Sequence, residues 1–435
     1  MLALVLLAGC GSGGRQTEVE TGAPEPDALV IVAPGSPVDV DVARRFASLR
    51  ATRLQVQLSP DPHGLEVADH RVTGIFAGVG AVRVSVLATD DRGVTTSSVF
   101  NIVAPAPEPG RPVLPATPHV YADSRLDLPP AYEASRRSGA PYWDTTPQAN
   151  PVTDAGATLG RVLFHDRRLS STNTHSCGTC HQQAHGFADP RPFSLGVTGE
   201  PTRRNAMGLA NVRYNLRDRY FSDARVRTLE ALALEPIQDP VEMANSLPLL
   251  VARLSATDFY PPLFQAAFGS PQITPERIGM ALAQFLRSLV SYRARVDSAY
   301  PEGGANAFPR PSPRFTALEN EGLGLLIEGN CLHCHVDPVL TMVDPSNNGL
   351  DLESADPGQG GGTFRAASLR NIRQTAPYMH DGRFATLREV IALSFTETVV
   401  PGAAPEQCGN YRDLSLQEAV DALGIYLPHC IKRAY

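Results

Sequence analysis

The pentapeptide Cys177-Gly178-Thr179-Cys180-His181 decides the fold of this chain, because its Cys-x-x-Cys-His pattern recurs at Cys331-Leu332-His333-Cys334-His335. This spacing is the attachment signature of a c-type haem: the two thiols form thioethers with the haem vinyl groups, and the adjacent histidine ligates the iron. A zinc site would require four protein ligands, and neither pentapeptide has a second Cys or His pair nearby. The sequence therefore predicts two covalently bound haems c. The predicted attachment residues are Cys177, Cys180, His181, Cys331, Cys334 and His335, with His181 and His335 as iron ligands.

The N-terminal residues and the remaining cysteines predict export. Met1 to Gly9 form a short apolar run that ends in Leu7-Ala8-Gly9-Cys10, a pattern typical of a lipoprotein signal with Cys10 as the lipidated residue. The run is too short to span a bilayer, so the lipid is the only membrane anchor we expect. In an oxidising periplasm or cell envelope, Cys408 and Cys430 are predicted to form a disulfide, and two independent buried thiols are the open alternative.

The composition limits the possible partners and the number of domains. The 38 basic and 45 acidic residues give a net charge of -7, which argues against nucleic acid as a partner. A chain of 435 residues is long enough for two or three domains with hydrophobic cores.

Changes in sequence pattern divide the chain into segments. Residues 11–27 are rich in Gly, Glu and Pro and predict a flexible tether. Alternating runs such as Val82-Arg83-Val84-Ser85-Val86, with a turn at Asp90-Asp91-Arg92-Gly93, predict a small all-β domain. This segment resembles the cadherin-like and immunoglobulin-like modules of exported bacterial proteins. The predicted order is a lipoprotein signal at 1–9, a tether at 10–27, a β-sandwich module at 28–104, a proline-rich linker at 105–127, a first haem domain at 128–300 and a second haem domain at 301–435.

Helical patterns fill the two haem domains. Asp154 is predicted to cap one helix, Thr274-Pro275-Glu276 begins a longer one, and residues 315–327 form a helix that leads into the second haem motif. Thr386-x-x-Glu389 and Ser415-x-x-Glu418 are capping boxes that open the last two helices. We therefore predict a mainly α protein in which two cytochrome c-like haem domains are preceded by a small all-β sandwich domain.

The order of motifs resembles the bacterial di-haem cytochrome c peroxidase family, which also contains the MauG-type enzymes that oxidise protein tryptophans. The resemblance covers roughly residues 128 to 435. It rests on Leu159-Gly160-Arg161-Val162-Leu163-Phe164, Asp166 to Ser170, both haem motifs, Pro236-Ile237-Gln238-Asp239-Pro240-Val241-Glu242-Met243, Ser368-Leu369-Arg370-Asn371 and Ala376-Pro377-Tyr378-Met379-His380-Asp381-Gly382.

The resemblance implies different roles for the two haems. It makes His181 the proximal ligand of the peroxide-reacting haem and His335 that of the electron-accepting haem, so electrons enter at the second haem. Glu242 matches the family's distal acid-base group, which takes a proton from one peroxide oxygen and returns it to the departing one. Apart from the family, Glu242 is interpreted as a first-turn helix residue that the helix dipole favours.

The family also holds a calcium ion between its haem domains through an Asn side chain and backbone carbonyls. Asn205, Thr375 and Pro377 match those positions. Oxygen ligands of this kind suit a hard cation. The alternative interpretation is that Asn205 is a turn residue.

Four positions depart from the family pattern. Val197 stands where peroxidases that need reductive activation have a histidine that blocks the first haem, which implies an open, five-coordinate iron. Ser222 replaces the tryptophan between the haems, and Leu232 replaces a glutamine of the distal pocket. Ser394 aligns with the Met or Tyr that is the sixth ligand of the second haem, and a serine hydroxyl is a poor iron ligand.

Three functions follow from these patterns. The first is a di-haem peroxidase that reduces hydrogen peroxide with electrons from a small soluble donor, a cytochrome c or a cupredoxin. The second is a MauG-like oxidase that uses peroxide to modify residues of a partner protein. The third, a non-catalytic electron carrier or haem-based sensor, is supported by the departures at Ser222, Leu232 and Ser394.

Overall fold

The computed structural model contains two compact units, with the division between Ala104 and Pro105. The structure describes residues 20–21, 29–45, 51–114, 119–121, 144–214, 219–299, 311–328, 331–336, 339–341, 345–348, 350–351 and 354–395. Cys10, Cys408, Cys430 and the capping box predicted at Ser415-x-x-Glu418 lie outside these ranges. The lipid anchor, the disulfide and that last helix therefore stay predictions.

The first unit contains two β-sheets around one hydrophobic core. Its strands are β1 (Glu20–Thr21), β2 (Leu29–Ile31), β3 (Pro37–Asp41), β4 (Arg53–Leu58), β5 (Leu65–Ala68), β6 (Arg71–Ile75), β7 (Gly80–Thr89) and β8 (Thr95–Ala104), with a short helix α1 (Val42–Arg45) after β3. One sheet has the order β1-β8-β7-β4, with β2 also paired with β8, and the other has the order β3-β6-β5. Val72 of β6, Val84 of β7 and Phe100 of β8 are buried in the shared core. The predicted small β sandwich is confirmed.

The long hairpin of β7 and β8 turns at the predicted acidic segment. The Oδ1 atom of Asp90 accepts hydrogen bonds from the backbone N–H groups of Arg92 at 2.9 Å and Val94 at 2.8 Å. Gly93 has a φ of 80°, a conformation in which a side chain would be strained. An Asp side chain that bonds its own backbone a few residues on is a common way to close a turn.

Helices form the second unit. They are α2 (Asp154–His165), α3 (Cys177–Cys180), α4 (Leu229–Leu232), α5 (Glu235–Gln238), α6 (Leu247–Ser255), α7 (Tyr260–Phe268), α8 (Pro275–Ser288), α9 (Ala317–Glu328), α10 (Cys331–Cys334) and α11 (Leu387–Phe395). Short 3-10 turns cover Arg167–Leu169, Gln183–His185, Arg295–Ala299 and Ile372–Gln374. A β sandwich followed by a helical region is the predicted fold class. Within the described ranges, no helix is both long enough and apolar enough to cross a membrane.

Helices α2 and α8 form the centre of the first haem domain. Gly160 of α2 lies so close to α8 that a Cβ atom there would be 2.0 Å from the carbonyl oxygen of Ala281. Leu159, Leu163 and Phe285 are buried beside this contact. Only glycine permits this approach of the two backbones.

Threonine side chains cap both of these helices. Thr274 caps α8 as predicted, because its Oγ1 accepts from the backbone N–H of Arg277 at 3.3 Å. The prediction for α2 was wrong by one residue: Thr153 is the cap, and its Oγ1 accepts from the N–H of Gly156 at 3.0 Å. Asp154 is the first helical residue, a position where the helix dipole also favours a carboxylate.

The second haem domain has a separate hydrophobic core around α9, α10 and α11. Leu323 and Leu326 of α9 and Ile391 of α11 are buried in it. Val296 and Ala299, which precede the predicted domain boundary at residue 300, are part of the same core. The hydrophobic contacts of the second domain therefore begin before that boundary.

Capping boxes open α9 and α11. At α11, the N–H of Thr386 donates to the Glu389 carboxylate at 2.8 Å and the N–H of Glu389 donates to the Thr386 hydroxyl at 3.3 Å, as predicted. At α9, Thr316 and Glu319 make the same two hydrogen bonds, at 2.8 Å and 3.2 Å. Each box satisfies backbone donors that a helix start leaves without partners.

The first part of the predicted linker is bonded to the first haem domain. The N–H of Ala106 donates to the carbonyl of Thr172 at 2.8 Å, and the Asn173 amide donates to the carbonyl of Ala106 at 3.0 Å. The first part of the linker thus lies alongside the segment that leads into the first haem motif.

Candidate haem sites

The first Cys-x-x-Cys-His motif is a single helical turn, α3. The N–H of Ser176 donates to the Thr179 hydroxyl at 3.0 Å, which caps the turn. The N–H of His181 then donates to the carbonyl of Cys177 at 2.8 Å. These short-range bonds bring the two cysteines and the histidine of the pattern onto one turn.

The imidazole of His181 is oriented by a backbone carbonyl. Its Nδ1 atom lies 2.8 Å from the carbonyl oxygen of Phe187. Burial lowers the pKa of His181, so the neutral ring is favoured. A neutral histidine whose Nδ1–H is bonded to a carbonyl presents Nε2 to a metal.

The second motif repeats this construction. The N–H of His335 donates to the carbonyl of Cys331 at 3.0 Å, and its Nδ1 lies 3.2 Å from the carbonyl oxygen of Leu340. His335 is buried, with 3% of its surface exposed. The structure therefore brings each predicted set of attachment residues together on a turn of its own.

The donor chemistry of the first motif fits a thioether-linked haem. None of the four motif cysteines is in a disulfide. Burial raises the pKa of Cys177 to about 12 and also raises that of Cys180, so both sulfurs are held in the neutral form. Zinc requires thiolates, whereas a thioether sulfur carries no charge. Among the described residues, no group of three or more His, Cys, Asp or Glu side chains could hold a metal ion.

Glu242 lies beside the first motif. The charge of its carboxylate acts on both Cys177 and Cys180 and helps to raise their pKa values. Burial, with a smaller contribution from Asp239, raises the pKa of Glu242 itself to about 7. Among the described residues, its carboxylate has no hydrogen-bond or ion-pair partner. A partly buried acid with such a pKa is suited to give and take protons near neutral pH.

The backbone around Glu242 is a turn and not a helix. The Oδ1 atom of Asp239 accepts from the N–H groups of Val241 at 2.8 Å and Glu242 at 3.0 Å. Glu242 lies between α5 and α6. The interpretation of Glu242 as a first-turn helix residue is therefore wrong, because Asp239 supplies a local alternative to helical hydrogen bonds.

Val197 lies next to Glu242. The N–H of Val197 donates to the carbonyl of Glu242 at 3.0 Å, and the Val197 side chain is buried. A Cβ atom on Gly196 would be 1.8 Å from the carbonyl oxygen of Val241, so these two segments touch through their backbones. The position that departs from the family's blocking histidine is thus in contact with the acid-base candidate.

Two of the three predicted calcium ligands line one cavity. Asn205 and Thr375 border a cavity of about 70 Å³ between residues of the two haem domains. The N–H of Asn205 donates to the carbonyl of His380 at 2.7 Å, and its amide donates to the carbonyl of Arg191 at 3.0 Å. The amide oxygen is the atom that a cation would use. Pro377 follows Thr375 by two residues.

The other departures from the family pattern have distinct surroundings. Ser222 lines the same cavity, and its carbonyl accepts from the N–H of Arg365 at 2.7 Å. Leu232, at the end of α4, packs against the core of the first haem domain. Ser394 lies within α11. Leu232 thus has a packing role where the family has a hydrogen-bonding side chain.

Sequence reasoning missed an ion-pair cluster that joins the two haem domains. The guanidinium of Arg204 contacts the carboxylates of Asp223 and Asp356, each at 2.6 Å. Asp356 is 152 positions from Arg204 along the chain. No local pattern could have indicated this contact, because it depends on the packing of distant segments.

Two c-type motifs, with a carboxylic acid of near-neutral pKa beside one of them, are the features expected of a di-haem c-type oxidoreductase. Comparison with known proteins defines the class further. The family model described as "Di-haem cytochrome c peroxidase" matches residues 154–304. The chain is 32% identical over 303 residues to "Methylamine utilization protein MauG" of Methylophilus methylotrophus, an alignment that covers 67% of this chain and 87% of the relative.

Two further proteins support the same class. "Cytochrome c551 peroxidase" of Nitrosomonas europaea is 32% identical over 247 residues, or 54% of this chain and 71% of that relative. The crystal structure of "a MauG-like protein associated with microbial copper homeostasis" is 32% identical, with a TM-score of 0.58, and the match covers 70% of this chain and 95% of that one. The chain belongs to the di-haem cytochrome c peroxidase and MauG family, whose members are peroxidase-type oxidoreductases with two haems c. Relatives of both names match, which establishes the class.

Proposed function

We propose that this protein reduces hydrogen peroxide to water at the first haem site. In this proposal, a small soluble donor, a cytochrome c or a cupredoxin, supplies two electrons through the second haem site, and two protons complete the formation of two water molecules. The observation that carries the proposal is the position of Glu242, a partly buried acid beside Cys177 and Cys180 whose pKa is about 7.

The residues of the chain would divide the chemistry between them. A c-type haem bound at each motif supplies an iron that can gain and lose electrons. His181 and His335 would hold the irons through Nε2, because carbonyl oxygens occupy the side of each ring that carries Nδ1. Ionised Glu242 would accept a proton from one peroxide oxygen and return it to the departing oxygen, which assists cleavage of the O–O bond.

Val197 supports an open first site. Its aliphatic side chain cannot ligate iron, and its backbone is bonded to Glu242. We propose that peroxide reaches the first haem of the isolated protein without prior reduction. In peroxidases that need activation, the family pattern has a histidine at this position. Here the position is occupied by Val197, whose side chain only packs against its neighbours.

The calcium site is a further part of the proposal. Asn205, Thr375 and Pro377 would bind the ion through an amide oxygen and backbone carbonyls. Asn205 and Thr375 line the cavity between residues of both haem domains, so the ion would link the domains. Removal of calcium with a chelator is expected to lower the thermal stability of the di-haem protein, and readdition of calcium is expected to restore it. An unchanged melting temperature and no bound calcium by elemental analysis would exclude this site.

We also propose that the protein is exported and anchored by a lipid on Cys10, with a disulfide between Cys408 and Cys430. Mass spectrometry of the mature protein tests both modifications. A diacylglyceryl group on Cys10 and a mass two hydrogens below that of the reduced pair are expected.

One experiment tests the proposed reaction. Optical and EPR spectra of the diferric protein are recorded before and after addition of peroxide. We expect a high-spin, five-coordinate signal that peroxide consumes, followed by steady turnover with a reduced cytochrome c. Two low-spin haems that do not respond to peroxide would contradict an enzymatic role and favour the electron carrier or sensor.

Similarity to MauG supports a second candidate. The relative that aligns over 87% of its length is named a methylamine utilization protein MauG, and the structural match is described as MauG-like. A MauG-like oxidase would use peroxide to oxidise side chains of a partner protein. Oxygen-containing mass increments on co-expressed partners, without turnover of a soluble donor, would support this candidate over the peroxidase.

A further inference from the structure

Arg365 is a buried cation without a counter-charge among the described residues. It is 9% exposed, and burial lowers its pKa. Within the described part of the chain, its guanidinium makes no hydrogen bond or ion pair, and its buried Nε atom has no partner. An unpaired charge in a protein interior is costly, by several kcal/mol in general.

The other buried arginines show what is usual in this protein. Among the described residues, four further arginines are buried: Arg168, Arg213, Arg287 and Arg370. Each contacts a carboxylate: Arg168 pairs with Asp166, Arg213 with Asp144, Arg287 with Glu230 and Arg370 with Asp297, at distances of 2.5 to 3.0 Å. Among the described residues, Arg365 departs from this rule, so its counter-charge is expected to come from outside them.

The surroundings of Arg365 connect it to residues of both haem domains. Its backbone N–H donates to the carbonyl of Ser222 in the first haem domain at 2.7 Å. The next residue, Ala366, accepts from the Thr341 hydroxyl at 2.7 Å, and Thr341 pairs with Val336, which directly follows the second haem ligand His335. The Arg365 side chain lines the cavity of about 70 Å³ that Ser222 and Thr341 also border.

We infer that Arg365 binds a propionate carboxylate of a haem held by these motifs. Each haem carries two propionates, and they are the acidic groups that haem attachment would bring to this region. A guanidinium presents paired N–H donors that match the two oxygens of a carboxylate. The inference depends on haem attachment and not on the peroxide reaction proposed above, so the two can fail separately.

This pairing would tune electron transfer as well as hold the haem. A positive charge near a haem disfavours the ferric state relative to the ferrous state, so it raises the reduction potential. Arg365 would therefore raise the potential of the haem whose propionate it binds.

Spectroelectrochemical titration of the di-haem protein tests this inference without peroxide. Arg365→Gln is compared with the wild type and with Arg373→Gln, which removes the same charge from an exposed position in the same domain. We expect a downward shift of one midpoint potential in Arg365→Gln and unchanged potentials in Arg373→Gln. One haem is expected to show a shifted midpoint potential. The spin state of that haem tells whether the first or the second haem supplies the carboxylate. Unchanged potentials of both haems in Arg365→Gln would overturn the inference.

A second variant covers the case in which Arg365→Gln does not mature. Arg365→Lys keeps the charge and loses the paired donors. Resonance Raman spectra of this variant are expected to show a shifted propionate-bending band for one haem while the potentials stay near those of the wild type. A band identical to that of the wild type would count against the pairing.

Discussion

The two haem motifs have the same local construction and different surroundings. In each motif, the N–H of the histidine donates to the carbonyl of the first cysteine, and Nδ1 faces a carbonyl a few residues further on. Beside the first motif lies Glu242, whose carboxylate has a pKa of about 7. Asp297, whose neighbours Val296 and Ala299 are part of the second domain's core, and Glu319 of α9 are buried carboxylates, and each is paired with an arginine.

This difference shows that the features needed to attach a haem are distinct from those needed for a haem site to react. The pentapeptide builds its own turn and orients its own histidine, so either motif can hold a haem. Whether an acid with a near-neutral pKa is available depends on what the rest of the fold brings to that turn. An arginine that pairs with a buried carboxylate ties that carboxylate to a structural role. Glu242 lacks such a partner among the described residues, and its pKa of about 7 lies near neutral pH.

Of the changes considered, a histidine at position 197 is expected to have the largest effect on the difference between the first and the second haem site. Val197→His would place an imidazole beside Glu242, at the position where the family resemblance implies a blocking histidine. We expect the high-spin EPR signal of the diferric protein to become low-spin and the reaction with peroxide to be lost. Val197→Leu, which changes size without adding a ligand, is expected to keep the high-spin signal. A high-spin signal that persists in Val197→His would show that this position does not face the iron.

Neutralising the acid should weaken the first site without altering either haem. In Glu242→Gln, we expect the peroxide reaction to slow by about a hundredfold to ten-thousandfold, because general acid-base assistance is lost. Stopped-flow absorbance measures the rate, and the resting spectra serve as a check on both haems. Glu276→Gln alters an exposed acid of the same domain and should react like the wild type. A rate unchanged by Glu242→Gln would remove this residue from the mechanism.

In the second domain, the loss of a buried carboxylate should affect stability and not reactivity. Asp297→Asn leaves the buried Arg370 guanidinium without its counter-charge. We expect the free energy of unfolding to fall by about 3–5 kcal/mol, with the peroxide reaction of the folded protein retained. Asp258→Asn breaks the exposed pair with Arg111, whose side chains are 68% and 78% exposed, and should cost less than about 1 kcal/mol. Equal losses in both variants, measured by denaturant titration, would contradict the distinction between buried and exposed pairs.

The pH dependence of the first site gives the smallest expected change. Only ionised Glu242 can accept a proton, and its ionised fraction falls about tenfold per pH unit below its pKa. With that pKa near 7, the rate constant for peroxide should rise with pH up to about 7 and then level off. The rising limb should be absent in Glu242→Gln. A profile that is flat across this range in the wild type would mean that the pKa of Glu242 is not the controlling one.

Much of the fold followed from local patterns. Thr274 and the Thr386/Glu389 box begin their helices where the sequence predicts, because a cap is a bond between neighbours in the chain. The Asp90 turn closes its hairpin for the same reason. The cap of α2 was misplaced by one residue, since Thr153 and Asp154 are both good capping residues and only the backbone distinguishes them.

The site was predictable only in part. The resemblance to the family indicated Glu242, but the local pattern favoured a helix, which the structure replaces with a turn capped by Asp239. Arg204 and Arg365 carried no local signal at all. Their significance depends on carboxylates or cavities formed by segments far apart in the chain.

By itself, the sequence determined the two pentapeptides at which haem c is predicted to attach, with Cys177, Cys180 and His181 in the first and Cys331, Cys334 and His335 in the second. The attachment chemistry needs only five consecutive residues, and a single helical turn arranges them. Only the tertiary structure decided that the charge of Glu242 acts on the first motif and that Arg365 is buried without a carboxylate partner among the described residues. Burial and charge pairing depend on packing between distant segments. Together they set the pKa of an acid and determine whether a buried cation has a counter-charge.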